Sequence, residues 1–80
     1  MKLPRNLSAS ELIKALKLYG YLVDRQKGSH VRLSTNNNGE HHISIPNHNP
    51  LKIGTLSSIL NAVAAHIGKT KEEVVHELFN

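Results

Sequence analysis

Apolar residues recur every three or four positions near the start of the chain, which is the spacing of an amphipathic helix. Ser8 and Glu11 have the separation of a capping box, in which two side chains bond the first free N–H groups of a helix. Gly20 can adopt the left-handed conformation that ends a helix. We therefore predict a first helix between these positions, with an apolar stripe of Leu12, Ile13, Leu16 and Tyr19.

Three short segments with strand character come next. Residues 21–26 mix β-forming side chains with charged ones, whereas residues 30–34 and 41–45 alternate between apolar and polar positions, the period of a β-strand. Residues 27–29 form a turn, and the Asn-Gly-rich residues 36–39 are a strong hairpin signal. One face of the resulting meander is apolar, with Val31, Leu33, Ile43 and Ile45. The opposite face carries His30, Arg32, Ser34, His42 and Ser44.

Two further helices complete the pattern. The second begins around Gly54 and Thr55 and ends at Gly68, and Thr70 with Glu73 forms a capping box that opens a short third helix. Their inward positions are Leu56, Ile59, Leu60, Val63 and Ile67, then Val74, Val75 and Leu78. The predicted fold is α+β, in the order α-β-β-β-α plus a short C-terminal helix. A three-stranded antiparallel sheet has helices on one face and solvent on the other.

Composition narrows the class of protein. The 80 residues predict a single domain, 1–80. The sequence shows no apolar run of the roughly 18 residues that span a bilayer, and no apolar stretch that resembles a secretory signal. Cysteine is absent, so disulfides and thiolate metal sites are excluded. We expect a cytoplasmic protein, monomeric on its own and without a membrane partner.

The net charge points to an anionic partner. Ten Lys and Arg face six Asp and Glu, which gives a formal charge of +4. This balance favours nucleic acid or an acidic protein, although a solvated surface explains it equally well. The only aromatic residues are Tyr19, Tyr21 and Phe79. A platform for stacking bases is therefore not predicted, and contacts to RNA are expected to use phosphates, sugars and groove shape.

His30 is the candidate catalytic residue. Histidine accepts and donates protons near neutral pH, and RNA cleavage needs a base for the 2′-hydroxyl and an acid for the leaving 5′-oxygen. Lys27 precedes His30 in the turn and Arg32 lies on the same strand face, where cations can stabilise the phosphorane. Gly28 and Ser29 allow the backbone to approach a ligand closely.

Other polar residues join this predicted site. His42 and Ser44 share the wet sheet face with His30, and His42 is a candidate second proton-transfer group. The N–H groups at the start of the second helix, at Thr55, can hold a phosphate, although an ordinary helix start explains them as well. The remaining histidines lack the spacing of a metal site, so no metal or other cofactor is expected. His66 and His76 are expected on the surface.

The segments ELIKALKLYGYLVDRQKGSHVRL, HHISIPNH and IGTLSSIL, in that order, resemble the HicA family of bacterial and archaeal toxins. The most specific parts are the Gly28-Ser29-His30 motif, the pair Pro46 and His48, and residues 54–56 with Ile59. The resemblance covers nearly the whole chain from about Ser10. Val31 departs from it, since many members have a basic or polar residue directly after the motif histidine.

The resemblance implies a fold similar to the double-stranded-RNA-binding domain and an mRNA-cleaving toxin that a HicB-type antitoxin neutralises. It also implies that the catalytic role falls on His30 and that no metal is needed. The predicted site is then His30 as catalytic residue, with RNA contacts from Lys27, Gly28, Ser29, Arg32, His42, Ser44 and Thr55. Alternatives are a non-catalytic double-stranded-RNA-binding module, an inactive HicA relative, or a purely structural partner-binding protein.

Overall fold

The computed structural model describes residues 3–80, and its elements follow the predicted order. They are α1 (Ala9–Leu16), β1 (Leu22–Lys27), β2 (His30–Thr35), β3 (His41–Pro46), α2 (Ile53–Ile67) and α3 (Lys71–Phe79). The three strands form one antiparallel sheet in the order β1-β2-β3. The α+β prediction is confirmed.

The first helix is shorter than the apolar stripe predicts. Its capping box is present, because Ser8 Oγ accepts a hydrogen bond from Glu11 N at 3.1 Å and Glu11 Oε1 accepts one from Ser8 N at 2.9 Å. The α-helix ends at Leu16, and Lys17–Tyr19 continue as a 3₁₀ turn. Gly20, at φ 80°, then reverses the chain into β1. The tighter turn buries Tyr19 beside the core.

The inner face of the sheet is the floor of the core. Val31, Leu33, Ile43 and Ile45 are buried on it, as the alternation predicts. Tyr21, immediately before β1, is fully buried, whereas every residue of β1 itself is exposed. The first strand is therefore an edge strand, and the register shifts by one residue between Val23 and Arg25, which is a bulge that bends an edge away from further pairing.

Helices α2 and α3 cover the inner face together with α1. Their buried residues include Leu56, Leu60, Val63 and Val74, and these join one continuous core with the buried residues of α1, β2 and β3. The second helix starts at Ile53, one residue earlier than predicted, and Gly68 ends it at φ 74°. The third helix has the predicted capping box between Thr70 and Glu73. No helix within residues 3–80 has the length and hydrophobicity to cross a membrane.

Candidate active site

His30 is the first residue of β2, directly after a two-residue turn. Gly28 has φ 58°, and a positive φ at the first position of such a turn matches the twist of a hairpin. Lys27 and His30 are the pair that closes the turn, so their Cβ atoms lie about 4.5–5.5 Å apart on one face of the sheet. Both side chains are exposed. Neither makes an ion pair with any residue in the described chain.

The chain after β3 packs against this turn. Pro46, the last residue of β3, is the register partner of His30. Asn47 N donates a hydrogen bond of 2.6 Å to Ser29 O, and His48 O accepts one of 3.1 Å from Ala9 N at the start of α1. The Gly28-Ser29 turn, the loop after β3 and the N-terminus of α1 therefore meet at one end of the sheet, which we call the turn end.

A pocket of about 590 Å³ separates β3 from the start of α2, and Ser44, Thr55 and Lys52 are among its lining residues. Lys52 is the N-cap of α2, and no side chain in the described part of the chain caps this helix. The structure therefore brings Ser44 and Thr55 together, with a lysine beside them. Ser44 is opposite Arg32 in the sheet, two residues from the position opposite His30.

Arg32 and His42 belong to a separate polar network in the middle of the outer face. Arg32 Nε lies 3.4 Å from Asp24 Oδ1 without the alignment of a hydrogen bond, and Arg32 Nη2 lies 3.2 Å from His42 Nδ1. Ser34 Oγ bonds Asp24 and lies 2.5 Å from the same His42 nitrogen. Glu40 Oε2 lies 3.1 Å from His42 Nε2. The network thus contains two carboxylates and one guanidinium, so it is less basic than the turn end.

The register separates the two predicted proton-transfer groups. His42 is opposite Ser34, four residues along β2 from His30, and four residues of strand span about 13 Å. An imidazole at that distance does not reach a phosphodiester placed at His30. The sheet therefore does not place His30 and His42 around one scissile bond.

His66 differs from the expectation that it lies free on the surface. Its ring stacks on the His41 ring with centroids 4.3 Å apart, and its Nε2 is 2.8 Å from Asn37 O. His41 Nδ1 in turn lies 2.7 Å from the Tyr21 hydroxyl. Burial, followed by His66 and His42, lowers the pKa of His41 below its usual value. These contacts join the C-terminal half of α2 to the β2–β3 hairpin, at the far end of the sheet from His30.

His48 is the residue at the turn end that the sequence reasoning did not assign to the site. Its side chain is exposed, two residues beyond the register partner of His30. The position of His48 near His30 could have been predicted from the distance of each residue from the hairpin along the chain. The hairpin at residues 36–39 places Thr35 opposite His41, and counting five residues outward from that pair puts His30 opposite Pro46. Over residues 3–80, the structure brings together no three acidic or histidine side chains that could hold a metal ion.

Comparison with known families places the chain first in a class and then in a family. Residues 9–64 match the family model described as "HicA toxin of bacterial toxin-antitoxin", which identifies a toxin of a toxin-antitoxin system. The match covers well over half of the 80 residues, and the chain belongs to the HicA toxin family. It includes the turn end and α2 as far as Ala64. No match was found among curated proteins or among solved structures.

Proposed function

We propose that this protein is an endoribonuclease toxin that cleaves mRNA, and that His30 removes the proton from the attacking 2′-hydroxyl. The observation that carries the proposal is the position of His30. The side chain is exposed at the start of β2, in the position directly opposite Lys27, on the face of the sheet away from the helices. Membership in a toxin family supports the same conclusion.

The proposed RNA path runs over the turn end and onto the outer face. Lys27 supplies positive charge beside His30, and the Gly28-Ser29 backbone allows a phosphate to approach closely. Ser44 and Thr55 offer hydroxyl groups to a neighbouring phosphate, with Lys52 in the same pocket. Arg32 and His42 contribute farther along the strand, where an RNA phosphate competes with Asp24 and Glu40 for them.

Phosphate and sugar contacts suit this surface better than base stacking. Tyr19 and Tyr21 are buried in the core, and Phe79 is half-buried against it. Neither the tyrosines nor the phenylalanine is therefore available to stack bases on the outer face, and binding is expected to depend strongly on salt. We further propose that the reaction needs no metal ion and that residues 1–80 act as one monomeric, cytoplasmic domain.

The partner that follows from the family is an antitoxin, and we propose a HicB-type protein that covers the outer face and the turn end. A toxin with a formal charge of +4 suits an acidic antitoxin surface. The measurement is a titration of labelled RNA bound to the His30→Ala protein with the antitoxin encoded alongside it. We expect the antitoxin to displace the RNA. Simultaneous binding of both would contradict a shared surface.

The cleavage assay uses purified protein, a long mRNA and an excess of chelator. Three proteins are compared: wild type, His30→Ala, and His76→Ala as a matched control, since His76 is an exposed histidine on α3. We expect wild type and the control to cleave equally and His30→Ala to lose at least about 100-fold in rate, the usual contribution of a general base. Tight binding of duplex RNA without cleavage by wild type would instead favour the non-catalytic module.

A further inference from the structure

Cleavage by the 2′-hydroxyl needs two proton transfers at one phosphorus. The attacking oxygen and the leaving 5′-oxygen lie on opposite sides of it in an in-line displacement. Each transferring group must reach its own oxygen within about 3 Å. The acid and the base therefore lie on opposite sides of the phosphate. The group that protonates the leaving oxygen must lie close to His30 without contacting it.

Most histidines of this chain do not meet that condition. His41 and His66 stack on each other at the far end of the sheet and are held by Tyr21 and the β2–β3 hairpin. His42 lies about 13 Å along the strand from His30 and its ring contacts Ser34, Arg32 and Glu40. The sixth histidine, on α3, bonds Asn80 there.

His48 meets the condition. Its backbone is two peptide units, at most about 7.6 Å, from the residue directly opposite His30. His48 N donates a hydrogen bond of 2.8 Å to Pro46 O, which makes a tight three-residue turn and shortens that distance further. His48 O accepts from Ala9 N, so both main-chain groups of His48 are fixed. The side chain is exposed, and within residues 3–80 it makes no ion pair.

We propose that His48 is the general acid that protonates the leaving 5′-oxygen, an inference that rests on the proposed function. His30 takes the proton from the 2′-hydroxyl as the bond from O2′ to phosphorus forms. The bond from phosphorus to O5′ breaks, and His48 donates its proton to O5′. The products are a 2′,3′-cyclic phosphate and a free 5′-hydroxyl. One histidine starts neutral and the other protonated, so the rate has a bell-shaped dependence on pH.

The test replaces the leaving oxygen with sulfur. The cleavage site is first mapped with wild type, and the RNA is then resynthesised with a 5′-bridging phosphorothiolate at that linkage. A thiolate leaves without a proton, so the sulfur substrate needs no general acid. Wild type, His48→Ala, His30→Ala and the control His76→Ala are compared on both substrates. Because the hydrogen bonds of His48 within residues 3–80 use only its main chain, the alanine variant is expected to keep the native fold, which a two-dimensional amide NMR spectrum checks.

On the oxygen substrate, we expect His48→Ala to lose about 100-fold or more in kcat, as loss of a general acid does, and to lose the alkaline limb of the pH profile. On the sulfur substrate, we expect His48→Ala to come within about tenfold of wild type, while His30→Ala stays slow. Equal cleavage of the oxygen substrate by His48→Ala and wild type overturns the inference, and so does a defect that sulfur fails to rescue. Absence of cleavage by wild type overturns the proposed function itself.

Discussion

Two glycines with the same backbone conformation should respond very differently to a methyl group. Gly20 and Gly68 are both in the left-handed conformation, with φ 80° and 74°. A Cβ at Gly20 would lie 2.6 Å from Asn37 Nδ2 and 2.9 Å from Thr35 Oγ1, whereas a Cβ at Gly68 would meet nothing within 4 Å. Gly20→Ala therefore has a cost that Gly68→Ala lacks.

The size of that cost follows from the groups that the methyl displaces. Asn37 Nδ2 and Thr35 Oγ1 both donate to Tyr19 O, at 2.8 and 2.9 Å. Each bond contributes about 1 kcal/mol, and Thr35 is buried, so its hydroxyl has no water to replace the carbonyl. The left-handed conformation costs alanine about 1–2 kcal/mol at either site. We expect Gly20→Ala to lower the free energy of unfolding by about 3 kcal/mol and Gly68→Ala by about 1 kcal/mol.

Urea denaturation of the two variants measures the difference. Gly68 is the matched control, because it has the same left-handed conformation as Gly20 and nothing within 4 Å of the added carbon. A difference of about 2 kcal/mol corresponds to roughly 10 °C in Tm for a domain of this size. Asn37→Ala should remove about 1 kcal/mol of the cost of Gly20→Ala in a double-mutant cycle. Equal destabilisation at both glycines would refute the reasoning.

Two further predictions concern charge. Asp24→Asn removes the carboxylate that pairs with Arg32. RNA affinity at low salt should therefore rise about 2- to 5-fold, which is the contribution of an exposed ion pair, and should fall more steeply as salt is added. Unchanged affinity in a fluorescence anisotropy titration would mean that RNA does not reach this network. The pKa of His41 is lowered in the folded protein by burial and then by His66 and His42, so the unfolded chain binds a proton first as the pH falls. Above about pH 6.5, the contribution of neutral His41 to the free energy of unfolding should be complete. Below that pH the contribution is lost, with a slope of at most about 1.4 kcal/mol per pH unit, until His41 is protonated in the folded protein as well. Urea denaturation of wild type and His41→Gln from pH 8 to 5 tests this, and identical slopes for the two proteins would contradict it.

Local signals in the sequence were enough to predict most of the fold. The capping boxes at Ser8 and Thr70 depend on residues three positions apart, and both are present. The turn between β2 and β3 determines their register, because the closing pair of Thr35 and His41 fixes every other pair of that ladder. The predicted inward and outward faces of β2 and β3 are confirmed for the same reason.

The polar contacts between distant elements could not be predicted from the pattern of apolar and polar residues. The approach of Asp24 to Arg32 depends on the register shift in β1, which no alternation of residue types reveals. The stacking of His66 on His41 depends on the position of α2 relative to the hairpin, and that position is set by the packing of the whole core. His41 and His66 are 25 residues apart in the sequence, so nothing in the local pattern indicates that their rings are in contact.

The most direct test of the central claim is the chemistry of the RNA ends. A short RNA that wild type cleaves is incubated with wild type and with His30→Ala in excess chelator. The masses of the fragments are then measured by mass spectrometry. If His30 activates the 2′-hydroxyl, wild type leaves a 2′,3′-cyclic phosphate and a 5′-hydroxyl, and one 2′-deoxynucleotide at the mapped site blocks the cut. His30→Ala then leaves the RNA intact over the same time. A 5′-phosphate end, or cleavage that continues in His30→Ala, would contradict the account.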